Sequence, residues 1–218
     1  SLKQVEKVAK KYLSGLTLPN GTLRSDPPPI YVPGKLTKTC PGQQAHKVIG
    51  GNACSFVDDR YVPVSVLTNY LGGPANNSLL NMDIRERHGL TYNIYSFYNP
   101  FTDSGLWGVY FGCEPANLNR ISRLVDKELK KIRTTKVGTS RLHMIKKQMI
   151  GQLTINADGL LSRMLGQAKN YMDFGRDFEL EELAAQVEKI TDMDLLDAAN
   201  FLFDPEKMSE ITYLPEED

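Results

Sequence analysis

The apolar positions change period along the chain, and those changes divide it into elements. Ser1 can cap a helix whose residues Leu2, Val5, Val8, Ala9, Tyr12 and Leu13 follow the helical period up to Gly15. The next stretch holds Leu18-Pro19-Asn20-Gly21, Ser25-Asp26-Pro27-Pro28-Pro29 and Pro33-Gly34. It favours turns and extended polyproline conformation over packing, so residues 16–35 read as an interdomain linker. Leu36 to Cys40 and Ala45 to Gly51 suit strands, and a helix from about Val62 to Leu71 follows Asp58-Asp59-Arg60. Gly72-Gly73-Pro74-Ala75-Asn76-Asn77 is a loop that opens onto Ser78. That serine is placed to cap a helix carrying Leu79, Leu80, Met82, Asp83 and Ile84, which Gly89 ends.

Thr91 to Tyr98 and Leu106 to Phe111 are rich in β-branched and aromatic residues. Asn99-Pro100 and Asp103-Ser104-Gly105 supply turn chemistry between them, which predicts an antiparallel hairpin. The remainder is helical: one amphipathic stripe runs from Leu118 to Ile132, a second from Leu142 to Leu153, a third from Leu160 to Tyr171, and a fourth from Leu180 to Ile190. Thr191-Asp192-Met193-Asp194 starts a fifth helix that ends near Asp204-Pro205, and Met208 to Tyr213 reads as a last strand. Strands, two helices, a hairpin and a helical run predict an α+β domain over residues 36–218, a two-layer sandwich with helices on one face of a largely antiparallel sheet.

Composition narrows the partners. The 218 residues are 41% hydrophobic and 24% charged, the balance of a globular protein. Lys and Arg total 26, as do Asp and Glu, so no basic field exists to gather nucleic acid. No apolar run is long enough to predict a membrane span, and the N-terminus lacks the order of a signal peptide. The chain does not begin with Met and reads as a piece of a longer protein, which leaves its compartment unknown. Cys40, Cys54 and Cys113 are odd in number and widely spaced, so they read as small buried hydrophobes.

The familiar catalytic patterns are missing. His46, His88 and His143 each stand alone, without H-x-x-E-H or H-E-x-x-H spacing, so no metal site is expected in this chain. There is no G-x-S-x-G elbow around Ser78 or Ser104 and no phosphate-binding glycine pattern. The paired acids Asp58-Asp59 and Glu181-Glu182 point in diverging directions and read as solvated surface.

The run from Leu71 to Tyr92 carries LGG, a polar loop, and IRE-x-x-GL-x-Y. Asp103-Ser104-Gly105-Leu106 and the stretch from Gly112 to Leu118, with Gly112, Pro115, Asn117 and Leu118, continue the pattern, and Gln44-Ala45-His46 through Gly50 precedes it. This resembles the C-terminal half of zinc peptidases of the insulinase, pitrilysin and mitochondrial processing peptidase type, over nearly everything after the linker. The resemblance implies a processing-peptidase-like metallohydrolase fold and a peptidase of two similar halves. Zinc then belongs to the N-terminal catalytic half, as a separate subunit or earlier in one chain, and residues 1–15 form the last helix of that preceding domain. This half closes the chamber over a peptide substrate.

By the same resemblance Arg85 and Tyr92, seven residues apart, match an Arg and a Tyr that face the zinc of the other half. A guanidinium and a phenol are donors suited to a peptide carbonyl and to charge developing on it. Gly72 and Gly73 allow close backbone approach to a bound peptide, with Asn76 and Asn77 in the same loop. The other reading is a non-catalytic homologue that binds or scaffolds within a complex.

Overall fold

The computed structural model describes residues 1–16, 27 and 29–216. Most of the linker expected at 16–35 therefore lies outside the described residues. Helix α1 (Leu2–Leu13) precedes that stretch. Two strands follow it, β1 (Lys35–Cys40) and β2 (Ala45–Ala53), then helix α2 (Tyr61–Gly72), a π-helical segment (Asn81–Glu86) and the hairpin β3 (Asn93–Pro100) and β4 (Gly105–Cys113). Helices α3 (Leu118–Thr134), α4 (Thr139–Asp158), α5 (Leu160–Phe174), α6 (Leu180–Lys189) and α7 (Asp192–Leu202) lead to strand β5 (Met208–Pro215).

The sheet runs β1-β5-β2-β4-β3. All its pairings are antiparallel except β1 with β5, which is parallel from Lys35↔Glu210 to Cys40↔Pro215. The predicted two-layer α+β arrangement is the observed one. Strand alternation sends Ile49, Ile94, Trp107, Val109 and Phe111 to one face, where they are buried with Val64, Leu67 and Leu71 of α2 and with Leu195, Ala199 and Leu202 of α7. Trp107 meets Phe203 edge-on at 4.8 Å between ring centroids. The lysine pair Lys35 and Lys47 clasps Glu210 at 2.6 Å each, tying β1 and β2 through the strand between them. Burial pushes the Glu210 carboxyl up, but these two lysines outweigh it and hold it below its usual value.

In each of the paired acids one member makes an ion pair, while Asp59 and Glu181 are exposed. Asp58 accepts two guanidinium hydrogen bonds from Arg60, at 2.8 and 2.6 Å, and Arg60 lies 4.0 Å over the Phe201 ring of α7. Glu182 takes two bonds from Arg176. In α7 the predicted capping box is complete: Thr191 N–H donates to Asp194 Oδ2 at 2.8 Å and Asp194 N–H to Thr191 Oγ1 at 3.2 Å. Helix α5 is amphipathic as its period predicts, yet Leu160, Leu161, Met164, Leu165 and Tyr171 are all exposed. Among the described residues, no helix is long and apolar enough to cross a membrane.

Candidate substrate-binding site

Arg85 and Tyr92 stand on either side of a sharp reversal. The helix expected from Ser78 instead widens into a π-helix: the Arg87 N–H reaches back five residues to the Met82 carbonyl at 3.1 Å. Ser78 does not cap it with its side chain. Its hydroxyl accepts from the Asn81 amide at 2.8 Å, and both residues are buried. The extra residue in the turn puts Asn81, Asp83 and Ile84 inward and Arg85 outward.

Gly89, at φ +61°, turns the chain. Its N–H donates to the Arg85 carbonyl at 2.9 Å and the Leu90 N–H to the Ile84 carbonyl at 3.3 Å. The peptide unit carrying Arg85 is thereby fixed to the corner that launches Tyr92. On the far side Thr91 is buried, and its hydroxyl lies 2.5 Å from the Gly112 carbonyl and 3.0 Å from the Asn93 carbonyl. Those contacts delay the strand predicted from Thr91 until Asn93 and leave Tyr92 projecting before it, 79% exposed.

Neighbouring polar groups are engaged elsewhere. Arg87 pairs with Asp83 at 2.6 Å, and His88 Nδ1 lies 2.5 Å from the Asp83 carbonyl. Among the described residues the Arg85 guanidinium has only Glu86, at 3.8 Å, too far for a hydrogen bond. Arg85 and Tyr92 thus present two donors on one exposed corner.

Gly72 and Gly73 pack closely against the chain's own backbone. A Cβ on Gly72 would stand 2.5 Å from the Ser96 backbone nitrogen, and one on Gly73 would stand 2.4 Å from the Asn69 carbonyl oxygen. Both are buried, and the close approach they permit is to the chain's own β3 and α2. The Ser96 hydroxyl completes that seam by donating to the Thr68 carbonyl at 2.6 Å. Asn76 and Asn77 are exposed at the loop's tip. Asn77 borders a cavity of about 400 Å³ on the helical side, with Leu79, Met82, Asp83 and Arg87, which neither Arg85 nor Tyr92 lines.

Among the described residues no group of three His, Cys, Asp or Glu side chains could hold a metal ion. His46 has a side-chain partner that sequence reasoning missed. Its Nδ1 lies 2.8 Å from the Tyr110 hydroxyl, a contact set by the β2–β4 register and invisible in the local sequence.

A family model described as the peptidase M16 inactive domain matches residues 1–149. The chain is 28% identical over 162 residues to YmxG of Bacillus subtilis, named an uncharacterized zinc protease, covering 74% of this chain and 39% of that one. It is 25% identical over 123 residues to the human mitochondrial-processing peptidase subunit alpha, covering 52% and 23%. Two solved structures share the fold: a peptidase M16 inactive domain from Pseudomonas fluorescens, with TM-score 0.80, 20% identity and 100% of this chain against 52% of that one, and a protease from Helicobacter pylori, with TM-score 0.78, 17% identity and 99% against 53%. The chain thus spans about half the length of those solved chains and 39% of YmxG. The match over most of its length places the chain in the peptidase M16 family, as an inactive domain.

Proposed function

We propose that this domain is the metal-free half of a zinc-dependent endopeptidase, in which Arg85 and Tyr92 hold a peptide carbonyl and stabilise the charge that develops on it. The observation that carries the reading is their exposure on the corner around Gly89, where among the described residues neither side chain makes a hydrogen bond. A guanidinium and a phenol fixed before the substrate arrives need no reorganisation when charge appears, which is what makes such donors effective. Asn76 and Asn77 are the loop residues available to the substrate, and Gly72 and Gly73 shape that loop from beneath.

Among the described residues no group of side chains fits zinc, and the ion is assigned to a partner catalytic half that this domain closes upon. Helix α1 supports that arrangement as the last helix of the preceding domain. It aligns with α7 from Ser1 and Thr191 onward, so that Val5, Val8, Ala9, Tyr12 and Leu13 fall where Leu195, Ala198, Ala199, Leu202 and Phe203 do. The α7 set is fully buried, whereas in α1 only Ala9 is even half-buried. Such a face belongs against a second sheet of the same design.

The test assembles this chain with the catalytic half and zinc and measures turnover of unstructured peptides. Arg85→Ala and Tyr92→Phe should each lower kcat by about 10²–10³, the effect of losing one oxyanion donor, with smaller changes in KM. Turnover unchanged in both variants removes these side chains from the reaction. An assembled, zinc-loaded but inactive wild type would favour a binding or scaffolding subunit.

A further inference from the structure

The helices cover one face of the sheet, and the other face carries a group of side chains outside the core. In the register, Asn93 of β3 stands opposite Gly112 of β4, which stands opposite His46 of β2. In the next row on the same face Tyr95 stands opposite Tyr110. Gly112 has no side chain, and over it His46 Nδ1 meets the Tyr110 hydroxyl at 2.8 Å, their rings stacked within 20° at 6.0 Å. Tyr95 packs 5.0 Å from Tyr110, and Phe97 extends the aromatic floor beyond Tyr95, its ring lying over Gly108. Tyr95 is 40% exposed, and His46, Tyr110 and Phe97 are half-buried.

The His46–Tyr110 pair has unspent hydrogen-bonding capacity in either tautomer. When the tyrosine donates to Nδ1, Nε2–H remains a donor and the phenol oxygen an acceptor. When Nδ1–H donates, the phenol O–H remains the donor and Nε2 the acceptor. Among the described residues neither group makes another hydrogen bond. Burial, and after it Tyr95, pushes the Tyr110 phenol up, so it stays neutral at ordinary pH. One donor and one acceptor beside an aromatic floor complement one peptide unit and an adjoining apolar side chain.

We propose that His46 and Tyr110 form a second peptide-binding subsite, which holds the backbone of an extended substrate while Tyr95 and Phe97 receive an apolar or aromatic side chain. Continuity with the first corner selects a peptide as the occupant. The Thr91 hydroxyl fixes the root of Tyr92 against Gly112, and the step from Asn93 across Gly112 to His46 is two strand spacings. That is roughly 10 Å, or about three residues of extended chain. The subsite therefore selects the side chain about three residues from the carbonyl held at Arg85 and Tyr92, and it rests on the reading that those two residues hold a peptide.

The test is an NMR titration of the isolated chain, whose core is self-contained, with two unstructured peptides that differ by one Phe→Ser change. Shifts should concentrate at His46, Tyr95, Tyr110 and Tyr92, with at least fivefold tighter binding of the Phe peptide. His46→Ala and Tyr110→Phe should each weaken both peptides at least threefold, the latter without removing the ring, and Tyr95→Ala should erase the preference for Phe. Equal affinity for both peptides, no binding, affinity unchanged by Tyr110→Phe, or a preference that survives Tyr95→Ala would overturn the subsite. Concentration-dependent shifts on this face without peptide would assign it instead to a second copy of the chain. Binding is read here without turnover, so failure leaves the kinetic test of Arg85 and Tyr92 standing on its own.

Discussion

At the scale of single residues, the two glycines after α2 separate a packing role from a binding role. If Gly72 serves the β3 seam, Gly72→Ala drives a methyl into the Ser96 backbone and should lower stability by about 1–3 kcal/mol in chemical denaturation. A folded, equally stable variant altered only in substrate affinity would assign Gly72 to binding instead. Asp58 gives a pH-dependent test. The Arg60 guanidinium beside it holds its carboxyl down to about 2, against an ordinary 3.8. A depressed folded value means the stabilisation is complete above about pH 4 and is lost as pH falls through about 2. Solvent screening limits it to about 1 kcal/mol or less. Asp58→Asn should therefore flatten the acid limb of a melting curve between those pH values while changing its slope little near neutrality. An acid limb identical to that of the wild type would remove this pair from acid stability.

At the scale of elements, periodicity located the α-helices and strands of the described residues but not what each one meets. The stripes from Leu118 to Ile132 and from Leu160 to Tyr171 look alike in sequence, yet Ile121, Val125 and Leu129 are buried whereas α5 buries nothing fully. A period of 3.6 residues defines a face and carries no information about its cover. The π-helix escaped for a related reason: one added residue per turn changes which side chain points out without changing composition. For the site this was decisive, since that turn sets Asp83 and Ile84 inward and Arg85 outward. The resemblance to zinc peptidases offers Arg85 and Tyr92 as a candidate pair, and the Gly89 corner was legible through its residue type. The His46–Tyr110 contact joins residues 64 apart and needed the strand register.

For the whole molecule, the resemblance and the alternation of strands anticipated a one-faced sheet, while strand order stayed hidden because it depends on contacts distant in sequence. Strand β5 lies between β1 and β2, so the last strand of the domain separates its first two. On the ribosome this imposes an order. Until Met208 to Pro215 has emerged, β1 has no partner, β2 offers a bare edge, and Lys35 and Lys47 lack the carboxylate they share. Completing the sheet must wait for β5, and the waiting intermediate exposes the kind of unpaired edge that aggregates. A chain shortened to end before Met208 should accumulate in the insoluble fraction and give no dispersed NMR spectrum. A soluble, cooperatively melting product would show instead that the β2–β4–β3 layer and its helices can close without the inserted strand.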